Sequence, residues 1–149
     1  MVMKTNEMIV ASLAGTTVMT AFSELMSKAK NSNYNEAEIL GELLNSITPL
    51  SKTQARLAGW ITHYGIGVVF AALYDLYLKQ TQAEANTGSG TVYGFLSGLA
   101  GVGVWKSTFK MHPNPPGVDL KTYYPQLVLA HIVFGLVTAL TYRAIKSNN

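Results

Sequence analysis

Four stretches of this sequence, residues 8–23, 57–74, 85–105 and 122–142, contain no aspartate, glutamate, lysine or arginine. A helix needs roughly 20 mostly apolar residues to cross the hydrocarbon core of a bilayer. The last two stretches have 21 residues each and the second has 18, while the first borrows from its flanks. The pattern predicts an all-α integral membrane protein, a bundle of four transmembrane helices over about residues 8–27, 57–78, 91–109 and 125–145.

A water-soluble four-helix bundle is the competing reading, but none of the four segments has the broad polar face that a surface helix needs. Only 13% of the residues are charged, about half the share usual in soluble domains. The aromatics divide into two groups near opposite helix ends, as interfacial belts do. Trp60, Tyr64, Trp105, Phe109, Tyr123 and Tyr124 form one, and Tyr74, Tyr77, Tyr93 and Tyr142 the other. There is no cysteine, which excludes disulfides and thiolate metal sites. The net charge of +3 suits membrane lipid headgroups, and no basic patch points to nucleic acid.

The longest connection, 28–56, contains "NEAEILGELLNSI". Ile39, Leu40, Leu43, Leu44 and Ile47 recur at helical spacing, with Glu36, Glu38, Glu42 and Asn45 on the other face. This predicts an amphipathic interfacial helix in the first loop, about 35–47, started by Asn35 as N-cap and stopped by Pro49. Such a helix lies in the membrane interface or caps the bundle. Gly94 and Gly98 form a GxxxG, and Ala11/Gly15 and Gly135/Ala139 are small-xxx-small pairs. These let membrane helices approach closely, and packing within the chain is the expected use.

Alternating helix directions put the 28–56 segment and the 110–124 loop on one side, the loop face. His63 and His131 each lie six residues inside their helices from that face, a depth of roughly 9 Å. His112 begins the loop, Glu24 ends the first helix there, and Lys106 sits about one turn inside. Ionisable groups in a membrane are costly and usually face the bundle interior. Glu24, His63, Lys106, His112 and His131 are therefore the candidate ligand-binding residues. His63 and His131 are also candidates to hold a metal or to ligate haem, although no local metal or haem motif supports this and no cofactor is the leading expectation. In the opposite half, Asp75 and Arg143 are close enough in depth to form a structural polar pair. The stiff loop "MHPNPPGVDLKTYYP" anchors the last helix, and His112 with Asp119 would make it a lid if it were functional.

The run "THYGIGVVFAALYD", the glycine-rich third helix, the "HPNPP" loop and "LAHIVFGL" together resemble the YagU-like family of small bacterial inner-membrane proteins, whose function is unknown. The resemblance covers about residues 57–146, through His63, the proline-rich loop and His131, Phe134 and Gly135. It implies a multi-pass protein of the bacterial inner (cytoplasmic) membrane and supplies no activity.

The residues lead first to a non-enzymatic membrane protein, an accessory subunit or interaction module with a larger membrane-protein partner. The alternative is a binding or transport protein whose intramembrane His/Glu/Lys site takes a small polar ligand, lipid headgroup, proton, metal or haem. Acid–base catalysis ranks third, since it needs a histidine and a carboxylate within hydrogen-bond reach.

Overall fold

The computed structural model describes residues 4–147. Its five helices are α1 (Thr5–Lys30), α2 (Glu36–Ile47), α3 (Lys52–Thr81), α4 (Thr87–Met111) and α5 (Leu120–Ser147), with no strand among the described residues. The four long helices extend beyond the predicted spans because their charged and capped ends project past the apolar stretches. Ser51 and Gln54 cap α3 reciprocally, as Asn86 and Ser89 cap α4. Asp119 starts α5, its carboxylate accepting from the Lys121 N–H and the Thr122 hydroxyl. Pro125 therefore lies inside α5 rather than at its start.

The expected four crossing helices are corrected to three. Helices α1, α3 and α5 are long and apolar enough to cross a membrane, whereas α4, at 25 residues, is long enough but not apolar enough. A charge-free stretch is not necessarily an apolar one: α4 carries six glycines (Gly88, Gly90, Gly94, Gly98, Gly101 and Gly103) together with serines and threonines. All four long helices nonetheless turn large apolar side chains outward, among them Leu13, Ile61, Leu99 and Leu129. The buried set includes Ser12, Thr16, Thr20, Ser23, His63, Gln126, His131 and Thr138. Apolar outside and polar inside is the reverse of a water-soluble bundle, and it marks a membrane protein.

Cross-helix pairs give the topology. Helix α1 runs antiparallel to α3, with Thr17 meeting Tyr64 and Thr20 meeting His63. It is also antiparallel to α5, where Ser23 meets Gln126 and Ala11 meets Thr138. Helix α4 runs antiparallel to α5 on a glycine seam. A Cβ at Gly94 would stand 2.5 Å from the His131 carbonyl oxygen, and one at Gly98 would stand 2.9 Å from Val128 Cα. The expected intramolecular use of the small residues is what the bundle shows.

Three sides of this four-helix arrangement are closed; the contact between α3 and α4 is thin. Those two helices meet near their shared turn, where Tyr74 bonds Ser89 at 2.9 Å and the Tyr93 hydroxyl donates to the Phe70 carbonyl at 2.6 Å. Tyr74, Tyr93 and Tyr142 are buried together there with Phe134. These tyrosines are a core plug, not the second interfacial belt expected from sequence.

Helix α2 docks on α3. Asn35 caps it as predicted, its Oδ1 accepting from Ala37 N–H at 3.1 Å and Glu38 N–H at 3.2 Å. The Glu38 carboxylate accepts from Arg56 Nε at 2.8 Å and Trp60 Nε1 at 2.9 Å. Close approach depends on Gly59, whose Cβ would lie 2.5 Å from Gly41 N. Burial of Ile39 and Leu43 makes α2 a cap on the bundle.

Candidate binding site

Where α3 and α4 separate, a cavity of about 140 Å³ lies between them. His63 and Phe70 of α3, Gly101 and Trp105 of α4, Thr16 of α1 and His131 of α5 line it, and Glu36 of α2 closes its loop-face end. Ile66 and Val104 also line it and are themselves exposed on the outer surface. Its mouth therefore opens sideways, through a wall of exposed apolar side chains. The tyrosine plug closes the opposite end.

His63 and His131, matched in depth by the sequence, both line this cavity. They stand on the parallel helices α3 and α5, at the same level of the bundle. Thr20 meets His63, while Ser23–Gln126 and Gly15–Phe134 bracket His131 at that same turn of α1. Their hydrogen bonds assign the ring protons. The Thr20 hydroxyl donates to the Thr16 carbonyl at 2.7 Å, so it accepts from His63 Nε2–H at 2.9 Å. His131 Nδ1–H donates to the Leu127 carbonyl at 2.9 Å. In a neutral imidazole the remaining nitrogen is an acceptor. His63 Nδ1 and His131 Nε2 therefore hold the lone pairs. A Cβ at Gly101 would stand 3.3 Å from His131 Nε2, so this glycine leaves the lone-pair edge of the ring accessible.

Glu36 is the site residue that sequence reasoning missed. It was placed on the polar face of the amphipathic helix, yet it is only 2% exposed. Its spacing to Ile39, Leu40 and Leu43 puts it on their stripe, and this was the available signal. Ser23 donates to Glu36 Oε1 at 3.1 Å and receives a bond from Gln126 Nε2 at 2.9 Å. Among the described residues Glu36 Oε2 has no hydrogen-bond partner, nor do Thr16 Oγ1, Gln126 Oε1, Tyr123 OH and Ser12 Oγ, all buried. Burial pushes the Glu36 carboxyl up to about 7, against the opposing pull of its own backbone N–H and of Ser23.

The other sequence candidates lie elsewhere. Lys106 is exposed on the outer face of α4, because the α4 face that meets the cavity is the one through Gly101, Trp105 and Thr108. Glu24 pairs with Lys28 at 3.6 Å and accepts from Asn35 Nδ2 at 3.4 Å, outside the cavity. His112 is a loop fastener and not part of a lid. Asn114 N–H donates to its Nδ1 at 3.2 Å, and its Nε2–H reaches the Leu43 carbonyl at 3.2 Å. Asp119 is occupied in starting α5. Asp75, expected to pair with Arg143, pairs with Lys79, one turn along its own helix, and Arg143 is exposed.

The donor set does not suit a metal, since the described residues hold no group of three histidines, cysteines or carboxylates arranged to bind one. Nor does the space suit haem. A cavity near 150 Å³ admits about one benzene-sized ring, far less than a tetrapyrrole. The arrangement is suited to binding: an imidazole acceptor at His131, with His63, Glu36 and Thr16 as further polar residues, in the lining of a largely apolar, aromatic chamber. Comparison with known proteins finds no match to this chain among family models, curated proteins or solved structures.

Proposed function

We propose that this is a membrane-embedded binding protein that admits an amphipathic ligand from the bilayer into the cleft between α3 and α4. One observation carries the reading: His63, His131 and Glu36, from three different helices, converge on a single cavity whose mouth faces sideways. His131 Nε2, its other ring nitrogen already bonded to the Leu127 carbonyl, lies beside Gly101 in the cavity wall and favours a visitor that brings a donor. In this reading α4 is held beside the three apolar helices by its glycine seam against α5 rather than by its own hydropathy. Its outward Phe95, Leu96, Leu99 and Val104 face lipid. The bacterial inner membrane is the location that the YagU-like resemblance implies.

In the alternative, the thin α3–α4 contact is where a helix of a larger membrane protein seats, and the chain is its accessory subunit. Native mass spectrometry after mild solubilisation separates the two. The binding reading expects a bound amphiphile that is lost from His131→Phe, with the variant's thermal unfolding unchanged. A co-purifying polypeptide at constant stoichiometry, or equal ligand occupancy in both proteins, overturns it. A visible absorption spectrum and metal analysis of the same sample check the haem and metal alternatives directly.

A further inference from the structure

We infer that the ligand's head is a single hydroxyl-bearing aromatic ring, of the phenol or hydroquinone class, with an apolar tail that trails between α3 and α4 into the lipid. This rests on the binding reading above and adds the chemical class of the ligand. Three features of the cavity set that class.

The first is hydrogen-bond polarity. Second partners fix both ring protons, His63 Nε2–H on Thr20 and His131 Nδ1–H on the Leu127 carbonyl. The His131 acceptor lies beside Gly101 in the cavity wall, so a matching ligand must bring a donor. A quaternary ammonium head has none, and an anionic head would place its charge against the His131 lone pair. Glu36 and Thr16 add polar side chains to the lining of the same cavity.

The second is size and wall chemistry. About 140 Å³ is the space of one ring. Phe70, Trp105 and Phe134 line it with π faces and edges that prefer an aromatic guest to an alkyl chain. Phe70 already sets its ring against His131 at 5.5 Å and against Phe134 at 6.3 Å, both edge to face.

The third is access. The mouth lies at exposed Ile66 and Val104, on the face of the bundle where Ile61, Val69 and Leu99 are also exposed. A tail leaving there enters hydrocarbon, while the plug of Tyr74, Tyr93 and Tyr142 prevents passage further along the bundle.

The test is calorimetric titration of the full chain in detergent with three probes: butylhydroquinone under anaerobic conditions, its dimethyl ether, and an aliphatic alcohol of equal carbon count. The expected result is saturable binding of the hydroquinone, weakened about tenfold or more in the ether, since one good hydrogen bond accounts for about that factor. The alcohol should also bind about tenfold or more weakly, having lost the ring contacts. Gly101→Leu, which fills the ring's place beside His131, should abolish binding while the protein stays monodisperse. The probe comparison uses the unaltered protein, so it does not depend on that variant folding. Equal affinity for hydroquinone and ether overturns the donor requirement, and equal affinity for hydroquinone and alcohol overturns the ring. No binding of any probe, with a native amphiphile present by mass spectrometry, overturns this inference and leaves the binding reading standing. No probe binding and no native amphiphile overturns both.

Discussion

Gly94 of α4 lies directly against the backbone of His131 in α5: a Cβ on it would come within 2.5 Å of the His131 carbonyl oxygen and 2.6 Å of Ile132 Cα. Neither atom belongs to a flexible side chain, so the helices themselves would have to separate. The seam that holds α4 in place is thus also the seam that orients one wall of the cavity.

Gly94→Ala should therefore destabilise the protein by about 1–3 kcal/mol or more, as overpacking does. Gly103→Ala is the control, since nothing lies within 4 Å of a Cβ there. It should be neutral, or stabilising by up to about 1 kcal/mol through helix propensity. Thermal unfolding in a single detergent compares the two, and equal effects would contradict the seam.

Thr20→Val should leave His63 Nε2–H buried without an acceptor, because the hydroxyl is its one hydrogen-bond partner among the described residues. The cost expected of an orphaned buried donor is about 1–3 kcal/mol. Thr20→Ser keeps the oxygen and should recover most of it. Unfolding midpoints of the two variants check this, and equal loss in both would assign the effect to packing instead.

Glu36 supplies a pH dependence with a definite sign. Its carboxyl sits at about 7 in the folded chain against an ordinary value of 4.5, so the fold favours the protonated form. The stability it allows is fully present below about pH 4.5, declines as pH rises through the window to about 7, and then levels off. The total fall is roughly 3 kcal/mol for a shift of this size. Glu36→Gln cannot ionise and should flatten that slope, leaving the variant more stable than the parent at pH 8. Unfolding midpoints measured across pH 4 to 8 test it, and a slope that persists in the variant would assign it to another group.

His112→Ala should loosen the 112–118 loop and the last turn of α2 without altering the cavity. The ring joins Asn114 N–H to the Leu43 carbonyl, well away from His63 and His131. Hydrogen exchange should rise in those two segments, and hydroquinone affinity should stay the same. A change in affinity would return His112 to the site.

The sequence by itself determined that this chain is helical and belongs in a membrane, where its long helices lie, and that a capped amphipathic helix fills the first loop. Those properties follow from charge-free length, periodicity and short-range capping, all of which are local. It also placed His63 and His131 at one depth, because rise per residue is constant along a helix. It could not give the rotation of each helix about its axis. In a membrane bundle the lipid-facing and inward-facing surfaces are both largely apolar, so the pattern that orients a soluble helix is weak. Charge-free length likewise overstated the apolarity of α4, because glycine, serine and threonine are uncharged without being strongly apolar. The tertiary structure decided the rotations through backbone approach at Gly59, Gly94 and Gly98, which turned Lys106 outward and Glu36 inward. Depth could be read along the chain; facing had to come from packing, because only the close contact of one helix backbone with another chooses which side chains share a cavity.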